Sequence, residues 1–113
     1  MAINRLNHAV LYVRDAEVSA RFYEDVLGFG RIGAYDVPIG VFLRAEGSTN
    51  DHDLALFTIG DSAGPSTAGR STVGLYHLAW EVDTLDDLQR LSARLADAGA
   101  LVGATDHGTT RAA

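Results

Sequence analysis

One short stretch occurs twice in this chain, and that repetition limits the architecture more than any other feature. Leu6-Asn7-His8-Ala9-Val10-Leu11-Tyr12-Val13 aligns with Leu75-Tyr76-His77-Leu78-Ala79-Trp80-Glu81-Val82, and the Leu, the His and the final Val coincide. Both copies are rich in β-branched and aromatic residues and read as strands. Each is followed at once by a helix-start signal. Asp15 caps a predicted helix carrying Val18, Phe22, Tyr23, Val26 and Leu27, with Gly28 as its stop. Thr84, with Asp87 three residues on, opens a second helix whose stripe is Leu88, Leu91 and Leu95, and Gly99 ends it. Two copies of one supersecondary unit are therefore expected.

Three further strands are predicted at 29–35, 39–44 and 53–59, and one more at 100–104. A Gly/Ser/Pro-rich stretch, 61–73, has no hydrophobic periodicity and reads as a linker. The expected order is βαβββ, linker, βαβ. That gives a first module over 1–60, a linker over 61–73, and a second module over 74–113 that stops two strands short.

Composition narrows the chemistry. The 113 residues include no Cys, which excludes disulfides, a thiolate nucleophile and cysteine-held zinc or iron–sulfur sites. A formal charge of -6, with 9 Arg and no Lys, argues against a nucleic-acid partner. No apolar run reaches the roughly 18 to 20 residues of a membrane span, and the first residues do not read as a signal peptide. A cytoplasmic protein with no membrane partner is expected. Metal or acid–base chemistry falls to His, Asp, Glu and Tyr.

Strand alternation places His8 on one face with Leu6, Val10 and Tyr12, and leaves Ala9, Leu11 and Val13 for the face that meets a helix. His77 likewise shares a face with Leu75, Ala79 and Glu81, opposite Tyr76, Leu78, Trp80 and Val82. Both imidazoles are thus expected to point away from the helices. A strand His is more often a packed or surface residue than a ligand, and duplication can carry a pair along without function. The matched parity brings a shared metal site level with those readings, since imidazole is the commonest ligand for Fe(II), Zn, Mn and Ni. Tyr12 and Glu81 lie about 13 Å along their strands from His8 and His77, at roughly 3.3 Å per residue, too far to join them as ligands. His52 follows Asn50 and Asp51 at a turn and reads as an exposed residue leading into a strand.

The duplication, with LNHAVLYVRDAEVSARFYEDVLGF in one half and VGLYHLAWEV in the other, resembles the vicinal oxygen chelate superfamily. That group includes glyoxalase I, the bleomycin and fosfomycin resistance proteins and the extradiol dioxygenases. The resemblance implies an α+β fold in which two tandem βαβββ modules form a U-shaped mixed sheet around a divalent metal, the second module being truncated here after βαβ. It implies His8 and His77 as metal ligands, with a third, a Glu, expected beyond residue 113. Asp51-His52-Asp53-Leu54-Ala55-Leu56-Phe57 is similar to a strand of small catechol-dioxygenase-like members, and Ala55 or a neighbouring apolar residue stands where glyoxalase I carries an extra Glu. Asp106-His107-Gly108-Thr109-Thr110 resembles a loop of extradiol enzymes whose His bonds the substrate, which makes His107 the catalytic candidate.

The implied function is Fe(II)-dependent extradiol cleavage of a small aromatic diol, with Mn, Zn, Ni or Co as alternative metals. A glyoxalase-like lyase or isomerase and a metal-free drug-binding protein of bleomycin-resistance type stand beside it. Tyr12 and Trp80 are the aromatic candidates for substrate contact. An unpaired sheet edge left by the short second module implies a homodimer.

Overall fold

The computed structural model describes residues 1–33, 40–106 and 111–112, and the chain divides into two units, Met1–Gly64 and Pro65–Ala113. In the first unit the elements run β1 (Ala9–Val13), α1 (Ala16–Asp25), β2 (Gly30–Arg31), β3 (Gly40–Arg44) and β4 (Leu54–Thr58). They form one mixed sheet in the order β1-β4-β3-β2. The β1–β4 pair is parallel, whereas β4–β3 and β3–β2 are antiparallel. A parallel neighbour needs a long crossover, and α1, β2 and β3 supply it. This is the expected βαβββ order.

The register assigns the faces. Leu11 lies beside Leu56 and Leu56 beside Val41, while Ala9, Leu54 and Leu43 form the next row. α1 packs against β3 and β4 and buries Ala16 and Ala20. Leu43, Leu54 and Leu56 are completely buried, and with Phe29 they make the core. The helix begins as its sequence predicts. Asp15 accepts a hydrogen bond from Glu17 N–H, and Ala16 N–H donates to Thr58 Oγ1 at 2.8 Å, tying the first turn to β4. Gly28, at φ +76°, lets the chain leave the helix, and Phe29 N–H donates to the Tyr23 carbonyl at 3.0 Å. Arg31 then reaches Glu17 at 2.8 Å and Glu24 at 2.6 Å, joining β2 to α1. The Arg31 hydrogen bond holds the Glu17 carboxyl below its ordinary value.

Of the strand expected over 29–35, Gly30 and Arg31 pair with β3, Ile32 N–H donates to the Phe42 carbonyl at 2.8 Å, and Phe29 is buried edge-on against Tyr23. Residues 34–39 lie outside the described residues.

The second unit contains α2 (Leu85–Asp97), β5 (Thr105–Asp106) and β6 (Arg111–Ala112), the last two forming an antiparallel pair. The start of α2 is the predicted one. Thr84 Oγ1 accepts from Asp87 N–H and donates to the Asp87 carboxylate at 2.9 Å. Two expectations are corrected here. Residues 75–82 form no strand, and 100–104 give way to Thr105–Asp106 as the paired segment. In the first unit β1 gains its ladder from β4. No counterpart of β4 lies among the described residues after α2, so 75–82 has the composition of a strand without a ladder partner. The apolar stripe of α2 (Leu88, Leu91, Leu95) is half-buried, and no residue of the helix is fully buried.

Among the described residues no helix is long and apolar enough to cross a membrane. Because Leu56 is completely buried in the central strand β4, Leu56→Ala is expected to destabilise the first unit by about 2–5 kcal/mol. Urea unfolding followed by circular dichroism measures this. A loss below about 0.5 kcal/mol, the size of an ordinary surface substitution, would mean that this core does not hold sheet and helix together.

Candidate functional site

One row of the sheet is not the row that builds the leucine core, and it carries the candidate site. Val10 lies beside Ala55, Ala55 beside Phe42, and Tyr12 beside Phe57. Val10 and Tyr12 are exposed, Tyr12 at 78%, while Ala9, Leu11 and Val13 are half-buried. That alternation is the expected one for a strand with one covered face.

His8 precedes the β1 ladder by one residue and is exposed, with Nδ1 2.8 Å from Asn7 Oδ1. The His52 ring stands beside it, the two centroids 4.5 Å apart and the planes tilted by 54°. Nδ1 of His52 lies 2.9 Å from the Asp51 carboxylate. Phe42 meets His52 edge-on at 5.1 Å and Phe57 edge-on at 5.8 Å. Two imidazoles and two phenyl rings thus form one continuous cluster.

His52 is the residue that sequence reasoning places wrongly. It leads into β4 as read but is not exposed, because its side chain is only 17% exposed and packs between His8 and Phe42. The available signal is Asp53, a carboxylate directly ahead of an apolar strand. Asp53 is 6% exposed, and its oxygens accept hydrogen bonds from Ala45 N–H, Ser48 Oγ and Asn50 Nδ2, each at 2.8 Å. Burial alone would raise the Asp53 carboxyl. The bonds from Ala45, Asn50 and Ser48, with the nearby Arg44 charge, outweigh it and hold the group below its ordinary value. Arg44 also donates to the carbonyls of Asn50 and Asp51, at 2.7 and 2.8 Å. The backbone ahead of β4 is therefore tied down on both sides of His52.

Tyr12 stands four residues along the chain from His8. His77 is exposed in the second unit, its ring 5.0 Å from that of Tyr76, and Trp80 is 40% exposed in the same segment. His107 lies outside the described residues.

The donor chemistry of the imidazole pair suits a divalent metal. Asn7 Oδ1 and the Asp51 carboxylate only accept hydrogen bonds, so in the neutral rings each Nδ1 carries the proton and each Nε2 keeps its lone pair. A metal-ligating His is held in this way through its other nitrogen. The number of donors is the shortfall. Among the described residues no group of three or more His, Cys, Asp or Glu side chains could hold a metal ion, and β4 brings Ala55 and Phe57 to this row with no carboxylate.

The βαβββ unit with its strand order defines a class of protein built on this module, and the family model narrows the class to one group. The Glyoxalase/Bleomycin resistance protein/Dioxygenase superfamily matches residues 5–113, and the chain belongs to that superfamily. A solved glyoxylase/bleomycin resistance protein/dioxygenase domain from Frankia sp. EAN1pec is 27% identical with a TM-score of 0.63, covering 87% of this chain and 76% of that one. A variant of homoprotocatechuate 2,3-dioxygenase from B. fuscum, solved in complex with HPCA, is 28% identical with a TM-score of 0.43, covering 84% of this chain and 23% of that one. No curated protein matches the sequence.

The Asp53 carboxyl makes a pH prediction. Its folded-state value lies below the unfolded one, so its stabilisation is complete above the unfolded value of about 3.9 and drains as pH falls through the folded value. Denaturant unfolding at a series of pH values is expected to lose stability on acidification below about pH 4. In Asp53→Asn that acid-side loss becomes shallower and stability at neutral pH is lower. Parallel pH profiles for the two proteins would show that the carboxylate has no such role.

Proposed function

We propose that this protein is a metal-dependent enzyme of its superfamily that cleaves the ring of a small catechol-like substrate beside its two hydroxyls. What supports this is the His8–His52 pair, with both Nδ1 positions occupied by oxygen acceptors, standing against the Phe42 and Phe57 rings. Phenyl edges suit the flat apolar body of an aromatic diol, and imidazole nitrogens suit its acidic hydroxyls. The presence of Ala55 rather than a carboxylate on β4 favours ring cleavage over a lyase or isomerase of glyoxalase type.

On this reading His8 and His77 hold the metal, Fe(II) first among the divalent ions, and a Glu outside these 113 residues completes the set. When bound, the metal supplies Lewis acidity toward two vicinal oxygens and lowers the cost of deprotonating the substrate. His52 accepts the hydroxyl proton at Nε2, and its Nδ1–H bond to Asp51 stabilises the imidazolium that results. His107, taken from the sequence, is a second acid–base group, and Tyr12 and Trp80 contribute apolar wall. We further propose a cytoplasmic homodimer. In its favour, β1 and β2 are the outer strands of the first unit's sheet among the described residues, and an unpaired outer strand is a template for another chain.

Anaerobic loading with Fe(II), followed by air and catechol, tests the reading through oxygen uptake and the absorbance of the ring-cleaved product. Wild type is expected to turn over, and His8→Ala to lose both bound iron and activity. His52→Ala is expected to keep its iron while the rate falls about 10²- to 10⁴-fold. Bound Fe(II) without oxygen uptake would move the protein to the lyase and isomerase class. Unchanged metal content in His8→Ala and His77→Ala would favour metal-free ligand binding instead.

A further inference from the structure

The Asn50 carboxamide uses its full hydrogen-bonding capacity. Nδ2 donates to Asp53 Oδ1 at 2.8 Å and to the Asn7 carbonyl at 3.1 Å. Oδ1 accepts from Arg5 Nη2 at 3.1 Å and from Asn7 Nδ2 at 3.4 Å. A side-chain amide has two donor hydrogens and two lone pairs, so nothing is left over. Turning the amide over would set its oxygen against the Asp53 carboxylate and the Asn7 carbonyl, and its NH₂ against the Arg5 guanidinium. One orientation satisfies all four partners.

That orientation decides the next one. Asn7 must turn its Nδ2 toward the Asn50 oxygen, so its own Oδ1 faces His8 Nδ1, at 2.8 Å. An amide oxygen only accepts, which places the imidazole proton on Nδ1 and leaves Nε2 as the acceptor. Were Asn7 reversed, its NH₂ would meet Nδ1 and the opposite tautomer would be selected.

We infer that Asn50 is a positioning residue: anchored on the buried Asp53 carboxylate, it fixes the rotamer of Asn7 and thereby selects the Nδ1–H tautomer of His8. Asn50 and Asn7 act through Nδ1 of His8, on the far side of the ring from Nε2. The tautomer stands on geometry alone, while its use toward a metal rests on the function proposed above.

The test is a long-range nitrogen–proton correlation spectrum of the metal-free protein, at a pH where imidazole is neutral, with the His8 signals identified by their loss in His8→Ala. Wild type is expected to show His8 protonated at Nδ1. In Asn50→Ala and in Asn7→Leu the two tautomers mix; Asn7→Leu leaves the Asn50–Asp53 bond intact, so the fold has its anchor in at least one variant. The double variant Asn50→Ala/Asn7→Asp is expected to recover the Nδ1–H form, because a carboxylate accepts whichever way it is turned. Titration with Co(II) alone is expected to show affinity about 10- to 100-fold lower in Asn50→Ala and regained in the double variant.

An unchanged His8 tautomer in both Asn50→Ala and Asn7→Leu overturns the inference. So does a tautomer that mixes in Asn50→Ala and is not restored by Asn7→Asp, since general loosening of the loop would give that result. If the tautomers behave as stated and wild type takes up no Co(II), the positioning role stands and the metal reading of His8 falls.

Discussion

Asp53 carries its carboxylate into the interior at the head of β4, where Ala45 N–H, Ser48 and Asn50 each donate to it. An ionised group in that position is costly unless its lone pairs are satisfied, and here they are satisfied by the loop that leads into the strand. The backbone of the same residue joins the strands on either side: its N–H donates to the Leu43 carbonyl, and its own carbonyl accepts from Ala9 N–H. One residue thus sets the starts of β1 and β4 level with the end of β3. His8 and His52 become neighbours because each lies one residue from that junction.

The site that results is divided between a rigid part and an exposed part. Leu43, Leu54 and Leu56 lock the sheet from the α1 side, so Phe42 and Phe57 have little freedom to shift. Over that floor each imidazole has a short polar bond, and His52 is also packed between His8 and Phe42. His8 is exposed and depends on Asn7 for its orientation, whereas His52 is half-buried and depends on Asp51. A functional group is best placed when rigid elements carry it and hydrogen bonds through its far side set its direction. Both conditions are met in the first unit. The second unit shares the helix-capping chemistry and the His-bearing segment, but 75–82 has no ladder.

Much of this is legible in the amino-acid order alone. The caps at Asp15 and Thr84 and the stops at Gly28 and Gly99 form as read, because each depends on residues within one helical turn. The parity of β1 is also readable, since Tyr12 exposed and Leu11 covered follow from a period of two. Reading fails where a partner is needed. Residues 75–82 have strand composition, yet a strand is stable only when another lies beside it. His52 looks like a turn residue because Asn50, Asp51 and Asp53 are turn formers, and their polarity suggests solvent. In the fold much of that polarity is turned inward, with Asn50 bonded to Asp53 and to the Asn7 carbonyl.

Spacing and capping act over a few residues, and they are enough to dictate the order of elements in the first module. They also dictate where both helices start and stop, and which face of β1 carries Val10 and Tyr12. Contacts between distant segments settle the rest. They set His52 4.5 Å from His8, bury Asp53 beneath the loop and bridge Asn50 to Asn7. The parallel pairing of β1 with β4 brings together residues more than forty apart, and local propensity carries no information about that register.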